Sequence, residues 1–516
     1  MEEGGDNTKQ QGLCRRVAIA CSRLSDNILQ NFVAITGSSF TFAATIVLII
    51  GWGIAGIFVA SNAIWQIAMQ NVSSVQCYLW DISLLYAQRR DLIELAKQIA
   101  HLHASGELKL ATLRKLQAGQ WTPSKPSHTS AVIQIEPDGD DPQIGYKNLP
   151  QKSWYDTCAD WVSTAAGSPW TQLVYAGGIV AWLAVGPSLN FDNDWQLNIN
   201  TAVATELMLM STFLQNTKRR HRLYMHRCSQ KLGNLDAELE EQLLGEYQAQ
   251  ALHATVKGSN TPTQRQPGCL GWLNANFGIH VCVDRYALFM SSLAGLLLSL
   301  ALLGVWIGIG SVMGYGEPNW WLIIGTYTGL VGFVDAFVLR NVMKRQQGAL
   351  LKSCDALDAL DAEISAALGA AYVSVPPSEV TTMGLFYRVS SFFSRLAGHV
   401  AVTYASVGVV ILLLVSASAM GWSETAQLLC NTPTMIIEGG MLLVLMMAHM
   451  ASHQYMRARL QTLLQRRVAF RTAMDRLAAH LPGMPAASKP LSVEKSVQGC
   501  PSSALETKTV QSRALF

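Results

Sequence analysis

The sequence predicts an all-α integral membrane protein with eight transmembrane helices, arranged as four parallel two-helix repeats with long cytosolic helix extensions. Three observations predict this class. Half of the 516 residues are hydrophobic and only 14% are charged, against about 25% in soluble proteins. Four charge-free segments are each long enough to cross about 30 Å of hydrocarbon. The pattern around these segments recurs along the chain.

Each charge-free segment is predicted to be the first helix of a repeat. The four segments are Phe40–Ala60, Ser168–Pro187, Ala287–Gly316 and Val400–Trp422. A second helix follows each of them after a short turn, begins apolar and ends in basic residues. The four second helices are Trp65–Gln88, Trp195–Thr217, Trp320–Leu339 and Ala426–Met456.

The repetition is visible in the positions of particular residues. A shift of 130 residues superposes Gly37 on Gly167, Ser38 on Ser168, Trp52 on Trp182, Trp65 on Trp195, and Arg89-Arg90 on Arg219-Arg220. The third copy keeps Trp306 and Trp320, and the fourth is the most diverged. These tryptophans are expected to anchor the helices at the outer membrane interface.

Basic residues follow all four second helices, so the positive-inside rule places those helix ends and both chain termini in the cytosol. The predicted location is therefore the plasma membrane, with several passes. Beyond the membrane, amphipathic continuations at Leu232–Leu244, Leu357–Leu368 and Leu460–Leu477 are expected to pack on one another.

The predicted organisation follows from these repeats and from the Pro-, Ser- and Gly-rich stretches between them. The units are a cytosolic segment 1–25, repeat 1 at 26–121, a linker at 122–153, repeat 2 at 154–257, a linker at 258–267, repeat 3 at 268–378, repeat 4 at 379–481 and a disordered tail at 482–516.

Several classes of function are disfavoured. The net charge is only +3 and no long basic run is interleaved with aromatic residues, which argues against nucleic-acid binding. The ten cysteines are scattered, without a CxxC pair. There is neither a phosphate-binding loop nor an HExxH pair. We therefore expect no enzyme and no cofactor, while a homo-oligomer remains open.

Each second helix contains one carboxylate, and these carboxylates are the main candidates for function: Asp81, Glu206, Asp335 and Glu438. An ionisable group at the centre of a membrane helix costs at least about 2.5 kcal/mol, so it signals a function. The four lie 16, 11, 15 and 12 residues into their helices. At about 1.5 Å per residue, Glu206 and Glu438 form an upper pair, with Asp81 and Asp335 about 5–7 Å below.

Hard carboxylate oxygens suit Fe(II), Mn(II) and similar cations, so a metal pathway between the second helices is predicted. Polar neighbours on the same helices extend it, namely Asn200, Gln215 and Asn431. His449, with His453 one turn later, is a candidate ligand pair at the inner exit. The alternatives are that the carboxylates and amides only join helices and that the histidines are interfacial.

One segment carries a family resemblance. Trp195–Arg220 reads WQLNINTAVATELMLMSTFLQNTKRR and resembles the signature of the low-affinity iron permease family, WQL-x-INT followed by FL-x-QNT and a basic end, although FLQNT lacks the spacer here. Asn431–His449 is similar to the last repeat of the fungal members. The resemblance, from Asp26 to about Leu477, implies a plasma-membrane permease for Fe(II) that also admits Zn(II), Cu or other divalent ions.

The sequence thus predicts low-affinity uptake of divalent metal ions, with the lipid bilayer as the other partner. Two rivals remain. A gated cation channel would use the same carboxylates as a selectivity ring, and a membrane scaffold would use its cytosolic helices to bind partners without transporting metal.

Overall fold

The structure is a computed structural model. It describes residues 20, 22–59, 63–117, 154–258, 280–314, 318–370, 372 and 385–480. Most of the predicted segment 1–25, the linker 122–153, all but one residue of the linker 258–267 and the tail 482–516 lie outside the described residues. Throughout the described ranges every regular element is a helix, which confirms the all-α prediction.

Twelve helices, α1 to α12, are numbered here within the described residues, and a short 3-10 turn, Gly186–Leu189, follows α5. Their bounds are α1, 22–36; α2, Ser39–Val59; α3, Ala63–Gln117; α4, Trp154–Ala166; α5, Pro169–Val185; α6, Asn193–Gly258; α7, Val281–Met290; α8, Leu293–Met313; α9, Pro318–Leu368; α10, Leu385–Ala397; α11, Val400–Ala419; and α12, Glu424–His480.

Four long helices build the centre of the molecule. These are α3, α6, α9 and α12, with 55, 66, 51 and 57 residues. Helix α3 packs against α6 and α9, and α12 packs against the same two helices. The contacts close a four-helix bundle in which α3 lies across from α12. Only α12 contains a proline beyond its first turn, Pro433, and it continues through that residue.

The apolar helices α2, α5, α8 and α11 surround this bundle. Helix α2 packs on α3 and α6, α5 on α12, α8 on α9 and α3, and α11 on α9 and α12. Their outward faces are exposed hydrocarbon, as at Ile57, Val174 and Ile411. The peripheral helices therefore cover the polar bundle and present an apolar outer surface.

Each peripheral helix begins after a sharp break that follows a short helix, and the same kind of cap closes each break. The amide of Thr41 donates to Ser38 Oγ (3.0 Å), and the corresponding bonds at the other breaks are Thr171 to Ser168, Gly295 to Ser292 and Ala401 to His399 Nδ1. Such caps satisfy amides that the first helical turn leaves unbonded. The predicted span Ala287–Gly316 is interrupted in this way, so α7 and α8 are separate helices.

Stacked tryptophans join peripheral and long helices at three places. Their ring centroids are 4.0 Å apart for Trp52 and Trp65, 3.8 Å for Trp182 and Trp195, and 4.4 Å for Trp306 and Trp320. In the last two pairs each indole N–H also donates to the partner's backbone carbonyl. These rings hold helix hairpins together, a role that the predicted interfacial anchoring did not include.

Within the described residues, six helices are long and apolar enough to cross a membrane, by length and composition. The six segments are Ser39–Phe58, Pro169–Leu189, Leu293–Met313, Trp320–Leu368, Val400–Ala419 and Thr425–Arg476. Helices α3 and α6 are not among them, because amides and hydroxyls such as Gln70, Ser73 and Asn200 lower their hydropathy. Eight spans therefore stay a prediction.

The distal parts of the long helices pack into a second bundle around leucine-rich clusters that include Leu232, Leu357 and Leu460. A buried ion network crosses it. Asp236 of α6 pairs with Lys109 of α3 (2.7 Å) and with Arg467 of α12 (2.9 Å). Arg467 in turn donates to Asp361 of α9 at 2.6 Å. One continuous set of charges thus ties all four helices together.

The ionisation of Asp236 depends on this network. Burial alone would raise the pKa of its carboxyl group, but attraction to Lys109 and Arg467 and hydrogen bonds from Lys109 and Ser105 outweigh burial, so the pKa is lowered. A carboxyl group with a lowered pKa in the folded state stabilises the fold above its unfolded pKa. That contribution is lost as the pH falls through the folded pKa.

We expect Asp236→Asn to destabilise the protein by about 3–5 kcal/mol, because it leaves Lys109 and Arg467 buried against a neutral amide. The melting temperature of the purified protein in nanodiscs measures the effect. Glu238→Gln is the matched control, because Glu238 is 50% exposed in its pair with Arg471 and such pairs contribute about 0–1 kcal/mol. Acidification should narrow the difference in melting temperature between wild type and Asp236→Asn, because protonated Asp236 no longer contributes its charge to the network. Equal melting temperatures for the two variants would contradict the role of the network.

Candidate functional site

Amide side chains form a polar layer near the N-terminal ends of the long helices. Gln70 of α3 donates to the Leu197 carbonyl (3.3 Å) and to Thr201 Oγ1 (3.1 Å), while its Oε1 has no hydrogen-bond partner. Asn200 of α6 is fully buried and neither of its amide atoms has a partner. Asn431 Oδ1 of α12 also lacks one. Unpaired buried polar groups cost about 1–3 kcal/mol each, so these oxygen atoms are open to a cation or to water.

Glu206 lies between α6 and α12. Neither carboxylate oxygen has a hydrogen-bond partner, and both are buried. Its Oε2 lies against Gly439, where a Cβ atom would come within 2.7 Å of it. Tyr175 of α5 closes the same place, with its hydroxyl donating to the Ile436 carbonyl at 2.6 Å. The absence of a side chain at Gly439 therefore makes room for the carboxylate.

Glu438 precedes Gly439 on α12, and its carboxylate points to α9. Its carboxylate lies against Gly332, where an added Cβ would meet both oxygens at 2.7–2.9 Å. Asn431 is accommodated in the same way, since a Cβ at Gly329 would come within 2.7 Å of its Oδ1. Helix α9 thus contributes a wall of glycines, and the polar side chains of α12 fill the space in front of it.

The two aspartates lie on α3 and α9. Asp335 is fully buried and accepts a hydrogen bond at Oδ1 from the Tyr286 hydroxyl (2.6 Å), whereas its Oδ2 has no partner. Asp81 lies near Asp335 and Glu438, and Glu438 lies near Asp335 and Glu206. The four predicted carboxylates therefore lie together inside the bundle.

Cys77 lies near Glu438, Asp81 and Glu206. In the part of the chain that the structure describes, no three His, Cys, Asp or Glu side chains lie close enough to hold one metal ion. The described residues therefore contain no closed site of three or four such side chains, the kind of site that retains metal tightly.

Gln215 and His449 lie outside this group. Gln215 Nε2 donates to the Trp80 carbonyl at 2.8 Å and so joins α6 to α3. His449 Nε2 lies 3.0 Å from His221 Nδ1, and the ring of His453 stacks on His221 with a centroid distance of 3.4 Å. Histidines of α6 and α12 thus meet beyond the carboxylates.

Sequence reasoning missed several residues of this region. His221 directly follows the basic pair Arg219-Arg220, a position that is typical of an interface. Tyr175 and Tyr286 lie on helices outside the central bundle. Gly332 and Gly439 contribute because the absence of a side chain leaves space for a carboxylate. Only the adjacency of particular helices reveals them.

Comparison with known proteins adds independent information. A profile of the family described as "Low affinity iron permease" matches residues 155–251 and 386–479. The chain is 33% identical over 450 residues to the "Low-affinity iron/zinc ion transport protein fet4" of Schizosaccharomyces pombe, covering 87% of this chain and 71% of that protein. It is 31% identical over 482 residues to the "Low-affinity Fe(2+) transport protein" of Saccharomyces cerevisiae, covering 86% and 82%. No solved structure matches the chain significantly.

Apolar helices around a bundle with buried polar side chains, together with these relatives, define a multi-pass membrane protein of the permease class. More particularly, the chain belongs to the low-affinity iron permease family. Its segments Trp195–Arg220 and Asn431–His449, which carried the resemblance, both lie within the matched regions.

Proposed function

We propose that this protein takes up Fe(II), and other divalent metals such as Zn(II) or Cu, at low affinity along the axis of the α3, α6, α9 and α12 bundle. The observation that carries the proposal is the set of buried side-chain oxygens without hydrogen-bond partners on these helices: Gln70 Oε1, Asn200 Oδ1, Glu206 Oε1 and Oε2, Asp335 Oδ2 and Asn431 Oδ1. Carboxylate and amide oxygens are ligands for hard and borderline divalent cations.

The order of these groups suggests a route. The ion first meets the amides Asn200 and Asn431, then Glu206 and Glu438, and then Asp335 and Asp81. Each level offers few ligands, so the ion completes its coordination with water and leaves easily, which favours transit over storage. The metal is cargo and not a resident cofactor. Gln215 acts mainly by joining helices.

The histidines extend the route at its far end. His221 and His449 face each other from α6 and α12, and imidazole binds Fe(II) and Zn(II) in preference to Mg(II) or Ca(II). An ion that leaves the aspartates would meet His449 next. This step gives a preference for borderline metals that the carboxylates alone do not provide.

The proposed architecture has eight spans in four two-helix repeats, with the beginnings of α3 and α6 as the two additional spans. Four similar caps and three stacked tryptophan pairs support a repeated unit. Each peripheral helix also packs on the long helix of another unit or between two long helices. Around the bundle the units follow the order one, two, four, three.

The proposed location is the plasma membrane, with both termini and the distal bundle in the cytosol. Basic residues such as Arg89, Arg219, Arg345 and Arg457 follow the proposed spans in all four long helices, as the positive-inside rule requires. The sequence contains no GxxxxGK[ST] phosphate-binding loop, so ATP-driven transport would need another subunit, and the proposed transport is passive or coupled to an ion gradient.

We expect Glu206→Gln and Glu438→Gln each to lower Fe(II) uptake about tenfold or more. Replacing an ionised group by a neutral one removes roughly 1.5–3 kcal/mol, and about 1.4 kcal/mol corresponds to a factor of ten. Initial rates of radiolabelled Fe(II) uptake in cells that lack other iron uptake measure the effect. Glu241→Gln, an exposed position of the same helix as Glu206, is the control. If both variants reach the membrane normally and transport like wild type, the pathway lies elsewhere.

A neighbouring pair of glycines tests the same geometry without changing any charge. Gly439→Ala places a methyl group 2.7 Å from Glu206 Oε2 and 2.6 Å from the Tyr175 hydroxyl, so the carboxylate must move. Gly440→Ala meets only the Tyr175 ring, at an ordinary 3.4 Å. Both changes favour the helix. We expect Gly439→Ala to reduce Fe(II) uptake severalfold and Gly440→Ala to leave it within about twofold of wild type. Equal uptake rates for the two variants would contradict the proposed role of Glu206 in the metal pathway.

A gated cation channel is the second candidate, because single carboxylates in series also suit a pore. Uptake that saturates with Fe(II) concentration and shows fixed coupling to another ion supports the carrier. Non-saturating current through the purified protein in planar bilayers supports the channel. The scaffold alternative predicts no metal flux in either experiment.

A further inference from the structure

A deep groove runs along the outside of α9, bounded by α7 and α11. Its volume is about 1000 Å³. The floor extends from Ile323 to Val338 of α9, a length of about 22 Å at 1.5 Å per residue. Valines are common in the lining of the groove, among them Val334 of α9 and Val407 of α11.

The position of the groove identifies the chemistry of its occupant. The outward faces of the adjoining helices α8 and α11 are exposed hydrocarbon, with Leu297 55% and Leu412 64% exposed. In a multi-pass membrane protein such faces meet the lipid. The groove is continuous with them through Val407, which lines it and is 40% exposed. What enters it sideways is therefore apolar and comes from the bilayer.

The shape of the lining narrows the choice of occupant. Three tyrosine rings lie among the valines of the lining: Tyr286, Tyr327 and Tyr404. A flexible hydrocarbon chain conforms to such an uneven surface better than a rigid fused-ring lipid does.

The groove lies one side chain away from the buried carboxylates. Tyr286 lines it and donates its hydroxyl to Asp335 Oδ1 at 2.6 Å. Tyr327 also lines it, and its hydroxyl lies 3.3 Å from that of Tyr78, the residue next to Cys77. An occupant that packs on the Tyr286 ring restrains the group that orients Asp335.

We propose that this groove binds an acyl chain of a membrane phospholipid, and that the bound chain holds Tyr286 in the position from which it donates to Asp335. The second part rests on the proposed role of Asp335 in transport. The first part concerns binding alone and stands or falls independently of metal uptake.

Photolabelling tests the binding site directly. The full-length protein is placed in phosphatidylcholine nanodiscs that contain a small fraction of phosphatidylcholine with a diazirine in one acyl chain. We expect labelled peptides from the groove face of α9 and α11. Val407→Trp, which fills the groove, should reduce this label at least fivefold. Leu412→Trp, on the lipid-facing side of the same helix, should leave it unchanged.

Three results would overturn the binding site: equal labelling of the groove in Val407→Trp and wild type, labelling by a diazirine sterol but not by the phospholipid, and crosslinking of the groove to a second polypeptide.

Fe(II) uptake then tests the link to Asp335. We expect Val407→Trp and Tyr286→Phe both to lower uptake severalfold while Leu412→Trp does not. If Val407→Trp loses the label but keeps normal Fe(II) uptake, the link between the bound acyl chain and Asp335 is wrong and the binding site stands. Loss of uptake in Glu206→Gln would in that case still support the proposed metal pathway.

Discussion

Polar side chains inside a membrane have to face one another, and this requirement organises the whole molecule. Each long helix carries amides or a carboxylate that would cost several kcal/mol against lipid. Packing α3, α6, α9 and α12 in a closed bundle turns these groups inward, as the burial of Asn200, Asp335 and Glu438 shows. The apolar helices α2, α5, α8 and α11 then cover the outside. Burial of the polar groups is therefore the reason for the layered arrangement and also the origin of a polar axis.

Much of the fold could be predicted from the sequence, because the strongest signals are local. The apolar runs predicted α2 and α11 to within a few residues, and leucine periodicity predicted that the distal helix segments pack together. Other features depend on partners that are distant in the chain. The caps at Ser168 and Ser292 separate short helices from the spans, but charge-free runs do not indicate such breaks. The tryptophan pairs were visible as a pattern, whereas their stacking, with ring centroids 3.8–4.4 Å apart, depends on how two helices pack.

For the candidate site, too, some features could be predicted from the sequence and others could not. The burial of the carboxyl groups of Asp81, Glu206, Asp335 and Glu438 could be predicted, since each is an ionisable residue in an otherwise apolar stretch. Their surroundings could not, because they depend on which helices are neighbours. Glu206 lies against Gly439, Glu438 against Gly332, and Asp335 beside Tyr286, and each contact joins residues more than 45 positions apart. Gln215 shows the opposite case, since its place on a polar stripe suggested a ligand while its amide bonds the Trp80 backbone.

Pro433 gives α12 a mechanical property that the other long helices lack. Proline has no amide hydrogen and its ring crowds the carbonyl four residues earlier, so the helix is weakest there. The carbonyl left without a hydrogen bond belongs to Leu429, so Asn431 lies within the weakened turn. Glu438 lies beyond it, toward the distal bundle where Arg467 is clamped between Asp236 and Asp361. Helix α12 is thus a rod fixed at one end with a joint near the other. Bending at the joint moves Asn431 relative to Glu438, so the helix does not fix the distance between these two polar side chains.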